Sequence, residues 1–267
     1  MIQKDFLETV VAERLADVAA LDVAALERAA RGAPAARPFA RALRACRDLG
    51  RLAVIAEIKR VSPALGALPR IADPAALARS YAAAGAAAMS VLTEPRHWGG
   101  SLDDLRAVRA AVEVPVLCKD VIVDERQVLA ARAAGADAIL LIGEALDPAR
   151  LTALLALASS FGMGALVEAH EPEAFRRVLA TGAPVVGVNA RDLRHPTTLD
   201  RRRIDTLAGE VAGGRVLVAE SGIGAVADAE RLPQRVDAVL VGTALVTADE
   251  PAPLLRALAG VRRSGPR

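Results

Sequence analysis

From Leu52 onward, short apolar runs alternate with longer segments in which alanine, leucine and arginine recur at helical spacing. The runs are VIAEI from Val54, AMSVL from Ala88, PVLCK from Pro115, DAILLI from Asp137, GALVEA from Gly164, PVVGVN from Pro184, RVLVAE from Arg215 and DAVLVG from Asp237. They begin about 20 to 35 residues apart, the length of one strand–helix unit. Runs that are apolar throughout predict strands buried on both faces, hence a parallel sheet covered by helices. Eight such units predict an α/β fold closed into a single (β/α)8 TIM barrel. The alternative is an open doubly wound sheet, which usually carries a Gly-rich turn after its first strand; none follows Ile58.

The intervening helices carry their own punctuation. Asp73-Pro74, Ser101, Asp124-Glu125, Asp147-Pro148 and Asp249-Glu250-Pro251 read as helix starts, because an acid or hydroxyl satisfies the free N–H groups there. Gly85-Ala86, Gly135-Ala136 and Gly182-Ala183 read as helix stops, where glycine takes the left-handed conformation. Residues 1–50 predict a helical extension with two or three helices, one over 5–20 and another over 37–49. The expected organisation is this extension plus a barrel over 51–267, together one domain. Closing the barrel bottom and lying across its mouth are both open to the extension.

Composition narrows the class. Hydrophobic residues make up 53% of the 267 but aromatics only 2%, which suits alanine-lined helix packing and not a base-stacking platform. Net charge is +2, and Arg201-Arg202-Arg203 and the tail arginines read as solvated faces, so no nucleic-acid partner is expected. Two cysteines, Cys46 and Cys118, are too few for a disulfide framework. Cys118 precedes Lys119 in its strand and is expected to face the helices as a packing residue. The charged N-terminus reads as an amphipathic helix, and no apolar stretch is long enough for a membrane span. A cytoplasmic protein with no membrane partner is expected.

Chemistry gathers where the strands end, which in this barrel type is where active sites lie. The first strand finishes Glu57-Ile58-Lys59, the third Lys119-Asp120, the fifth at Glu168, the sixth at Asn189 with Arg191 beyond, and the seventh at Glu220. One such charge is often only a strand leaving the core. Repetition at equivalent positions points to a built site with proton donors and acceptors. Ser221-Gly222-Ile223-Gly224 and Gly242-Thr243 follow strands seven and eight and read as phosphate loops or as ordinary turns; Ser62 to Gly66 is a second candidate. His97, His170 and His195 lie in separate loops without metal-ligand spacing, so no metal is expected.

Taken in order, AEIKRVSPALG, SVLTEPRHWGGSLDDL, PVLCKDVIVDERQVLAARAAGADAILLI, LVEAHEPEAF, VGVNARDL, AESGI and VDAVLVGTALV resemble the indole-3-glycerol phosphate synthase family over nearly the whole chain. The resemblance implies a cofactor-free, decarboxylating and dehydrating ring closure of 1-(2-carboxyphenylamino)-1-deoxyribulose 5-phosphate in tryptophan biosynthesis. It implies Lys119 as general acid on the ketone, Lys59 holding substrate and serving dehydration, Glu168 assisting dehydration and Glu57 as a further acceptor. Asn189, Arg191, Glu220, Trp98, Leu140 and Leu193 match substrate-binding positions. Ser62, Ser221, Gly222, Gly242 and Thr243 match positions around the phosphate.

The chain departs from the family pattern at Ala64, Val121 and Ala190, and Trp98 stands where phenylalanine is commoner. These changes fall on the pocket lining, with Trp98 set to refill part of the space left by Val121. They leave open a paralogue acting on a substituted anthranilate derivative in specialised metabolism. A sugar-phosphate isomerase barrel is a rival, as is a silent phosphate-binding barrel serving as a binding subunit. Several buried charges would be costly to keep in a silent pocket. A small sugar-phosphate partner and a monomer or weak homo-oligomer complete the expectation.

Overall fold

The computed structural model describes residues 5–62, 64–68 and 71–263. Three helices come first: α1 (Phe6–Val18), α2 (Val23–Gly32) and α3 (Phe39–Asp48). Strand and helix then alternate through β1 (Ala53–Ile58), α4 (Pro74–Ala83), β2 (Ala88–Leu92), α5 (Leu102–Ala111), β3 (Val116–Lys119), α6 (Glu125–Ala133), β4 (Ala138–Ile142) and α7 (Pro148–Ser160). The series continues with β5 (Gly164–Ala169), α8 (Pro172–Ala180), β6 (Val185–Asn189), α9 (Arg202–Leu207), β7 (Val216–Glu220), α10 (Val226–Arg231), β8 (Ala238–Val241), α11 (Thr243–Val246) and α12 (Pro251–Ala259). All eight strands pair in parallel with their sequence neighbours, and β8 closes on β1. This is the closed barrel that the apolar rhythm predicts.

The register sets the height of each polar strand end. Glu168 pairs with Gly187, and Asn189 with Glu220, so β5, β6 and β7 deliver their polar groups to one level. A short antiparallel hairpin pairs Val61 with Ala67 and Ser62 with Gly66 beyond β1; Pro63, inside the predicted phosphate loop, lies outside the described residues.

Most local signals hold. Asp73, Ser101, Asp124 and Asp147 each accept backbone N–H groups at a helix start, and Gly85, Gly135 and Gly182 have φ of 99°, 93° and 75°. The start at Asp249-Glu250-Pro251 differs: Glu250 caps α12 without a side-chain hydrogen bond, leaving Pro251 in the first turn as its mark. The arginine clusters differ too. Arg263 is buried and donates to the carbonyls of Ala229 and Leu232 at the end of α10, and Arg203 reaches Glu171 and Asp192. Open carbonyls and the buried Asp192 carboxylate draw these guanidinium groups inward.

The extension does both things left open to it. At the bottom, α3 brings buried Phe39 against the floor: a Cβ placed on Gly164 would lie 3.1 Å from it. Asp137 at the start of β4 accepts from the Arg37 N–H at 2.7 Å and the Val116 N–H at 2.8 Å, tying the linker before α3 to the barrel. At the top, the N–H of Phe6 donates to the Arg194 carbonyl, holding the start of α1 over the mouth. Among the described residues, no helix is long and apolar enough to cross a membrane.

Candidate active site

The strand ends open into a cavity of about 560 Å³. Every residue that the resemblance matches to a catalytic, substrate-binding or phosphate-binding position lines it, whereas Gly66 of the second candidate loop does not. At its centre Lys119 Nζ lies 3.0 Å from Glu168 Oε2 and 2.9 Å from Glu220 Oε2. Beside this group, Lys59 Nζ is 3.0 Å from Glu57 Oε1, as the two-residue spacing predicts.

One ammonium between two buried carboxyls sets their protonation. Burial disfavours charge on Lys119, but the charges of Glu168, Glu220 and Glu57 outweigh it and hold the lysine above its ordinary pKa. Burial and the Glu168 charge push Glu220 well above the usual carboxylate range. Glu168, also desolvated, ends below that range because Lys119 stabilises its anion and Asn189 Nδ2 donates to it at 3.2 Å. The site therefore holds a charged acid, an ionised carboxylate and a carboxyl that keeps its proton more readily, all within hydrogen-bond reach.

Asn189 links the two ends of the cavity. Its Oδ1 accepts from the Arg191 N–H at 3.0 Å and from the Ser221 hydroxyl at 2.8 Å. The Arg191 guanidinium donates to the Pro196 carbonyl, so the loop after β6 curls over the mouth and brings Leu193 to the wall. In the loop after β7, Ser221 and Gly222 are both left-handed, with φ of 68° and 76°. A Cβ on Gly242 would sit 2.2 Å from Glu57 Oε1, so glycine is needed there for Glu57 to reach Lys59.

Trp98, Leu140, Leu193 and Val121 contribute apolar lining to the cavity, with Phe6 and Leu7 from α1. Trp98 packs edge-on against Phe6 with centroids 5.8 Å apart. Buried Glu94 sets its position by accepting the N–H groups of Arg96, His97 and Trp98. Phe6 lines the cavity although nothing local in the sequence marks that face of α1 as belonging to a site formed by strands about 50 or more residues away. Sequence reasoning also passed over Arg201, which lines the cavity from a cluster read as a solvated face.

Cys118 faces outward as expected, with its sulfur 3.2 Å from Thr93 Oγ1 and its thiol pushed up to about 12 by burial. His170, Glu171 and Asp192 approach closely enough to share an ion. Arg194 and Arg203 already occupy both carboxylates, so this donor set serves ion pairing.

A family model described as indole-3-glycerol phosphate synthase matches residues 7–258. The chain is 51% identical over 238 residues to indole-3-glycerol phosphate synthase 2 of Streptomyces coelicolor, spanning 89% of this chain and 90% of that one. It is 47% identical over 246 residues to indole-3-glycerol phosphate synthase of Mycobacteroides abscessus, spanning 92% and 89%. In fold it is similar to 3-hexulose-6-phosphate synthase from Salmonella typhimurium, with a TM-score of 0.61 at 16% identity over 78% of this chain and 97% of that one. A tryptophan synthase chain from M. tuberculosis superposes equally well, with a TM-score of 0.61 at 18% identity over 84% and 97%. Those two likenesses concern the barrel alone. With half of its residues shared across nine-tenths of a curated relative, the chain belongs to the indole-3-glycerol phosphate synthase family.

Proposed function

We propose that this chain closes the indole ring of 1-(2-carboxyphenylamino)-1-deoxyribulose 5-phosphate, releasing carbon dioxide and water to give indole-3-glycerol phosphate. The observation that carries this reading is Lys119, charged and bracketed by Glu168 and Glu220 between an apolar wall and a small-residue loop. An aromatic ring fits the wall and a phosphate the loop, which leaves the ketone near the lysine. Lys119 gives its proton to the ketone oxygen as the ring carbon bonds to the carbonyl carbon. The bond to the carboxylate then breaks and returns its electron pair to the ring. Dehydration follows: the new hydroxyl leaves as water with a proton from Lys59, and the adjacent methylene gives up a proton to Glu168. Glu57, 3.0 Å from Lys59, is a further proton acceptor in the site and pairs with the lysine's charge.

Asn189, Arg191 and Glu220 orient the sugar hydroxyls and the anthranilate carboxylate, while Trp98, Leu140 and Leu193 pack on the ring. Ser62, Ser221, Gly222, Gly242 and Thr243 hold the phosphate. No metal or organic cofactor takes part. The extension over 1–50 and the barrel over 51–267 act as one domain, a reading supported by Phe6 and Leu7 in the cavity wall. We read the protein as cytoplasmic and as a monomer or weak homo-oligomer.

The test is indole fluorescence with purified protein and this substrate, beside Lys119→Ala. Turnover by the wild type and a loss of about 10²–10⁴-fold in the variant are expected. Binding without turnover by the wild type would overturn the proposal and turn attention to ring-substituted substrates, for which Val121 leaves room, or to a binding role.

A further inference from the structure

We infer that Arg201 is a further phosphate-binding residue, one that the loop after β7 is shaped to hold. The inference rests on the reading that a sugar phosphate occupies the cavity. Arg201 lines that cavity, and its side chain lies along Gly222: a Cβ on that glycine would sit 3.0 Å from Arg201 Nε and 3.3 Å from its Cγ. Gly222 takes a φ of 76° that favours glycine, and the Arg201 side chain lies over the face where a side chain would stand.

Asp228 holds the arrangement in place. Its Oδ1 lies 2.9 Å from Arg201 Nη1, and its Oδ2 accepts the N–H groups of Gly224 and Ala225 at 2.9 and 3.0 Å. Two of the loop's donors are thus spent on a carboxylate and cannot cradle an anion. That carboxylate also brings a negative charge to the loop where the phosphate would sit. Arg201 answers both: it neutralises Asp228 with one of its five N–H donors and has others to offer a phosphate. The side chain is 54% exposed, so little desolvation stands against that contact.

The experiment compares wild type, Arg201→Gln, Arg201→Lys and Asp228→Asn, measuring kcat and KM together with the affinity for inorganic phosphate by calorimetric titration. Arg201→Gln is expected to raise KM and weaken phosphate binding in parallel by roughly tenfold, with the smaller change in kcat. Arg201→Lys keeps the charge without the fork and should fall between. Asp228→Asn retains an acceptor for Gly224 and Ala225 and should shift both constants by less than Arg201→Gln does. Unchanged phosphate affinity in Arg201→Gln overturns the proposal. So does an Asp228→Asn effect as large as that of Arg201→Gln, which would make the arginine only a tether for the loop. If the wild type makes no indole the reaction assigned above fails, while phosphate titration still decides the role of Arg201.

Discussion

Arg14, on the first helix, places two guanidinium nitrogens on the two oxygens of Asp120, at 3.0 and 3.1 Å. Asp120 follows Lys119 and also accepts the Thr93 hydroxyl at 2.8 Å, so the fork anchors α1 to the strand that carries the central lysine. Glu13 with His97, 2.6 Å apart, and Asp17 with Arg96 clamp the same helix to the loop presenting Trp98.

Arg14→Ala removes the partner of a buried carboxylate and is expected to cost about 3 kcal/mol of stability. Because Phe6 and Leu7 ride on α1, KM should rise as well. The double variant Arg14→Ala, Asp120→Asn leaves no buried charge unpaired and should regain part of the stability in urea unfolding. No recovery would show that packing, not the ion pair, holds the helix.

Gly187 makes room for the central carboxyls. A Cβ there would meet Glu220 Oε1 at 2.2 Å and Glu168 Cβ at 3.1 Å. Gly187→Ala should cost about 1–3 kcal/mol through overpacking. Displacing Glu220 from Lys119 should also lower kcat by about 100-fold. Steady-state kinetics and a melting curve check both, and a variant with normal kcat would separate Glu220 placement from turnover.

Asp192 links pH to stability. Burial opposes its charge, but Arg194 donates through its backbone N–H and guanidinium, and with His170 nearby the carboxyl is held below the usual aspartate range. A depressed folded pKa contributes stability above the unfolded value of about 3.9 and loses it as pH falls through the folded one. Asp192→Asn should therefore be less stable by about 2 kcal/mol at pH 7. The gap to wild type should narrow as urea midpoints are followed into acid below the unfolded value, and a gap that widened there would contradict the assignment.

The two thiols should separate cleanly. Cys118 is buried with its thiol raised to about 12, whereas Cys46 is half-buried, its thiol raised less far by burial. Alkylation of native protein at pH 8, followed by peptide mass spectrometry, should modify Cys46 slowly and Cys118 only after unfolding. Native labelling of Cys118 would mean that the contact between α1 and β3 opens readily.

The chain order by itself determined the barrel, its strand positions, most of its caps and stops, and the polar groups at the strand ends. Those features are local. A run such as AILLI, an Asp before a helix or a glycine after one acts on its immediate neighbours, so spacing alone reports it. Only the closed barrel decided that Glu220 shares Lys119 with Glu168, because register between strands about 50 residues apart brings the three together. The place of Phe6 in the cavity wall, the fork of Arg14 on Asp120 and the guanidinium of Arg201 along Gly222 have the same origin. Each joins segments far apart in the chain, and such contacts depend on how helices and loops dock over the barrel mouth, for which the sequence carries no periodic signal.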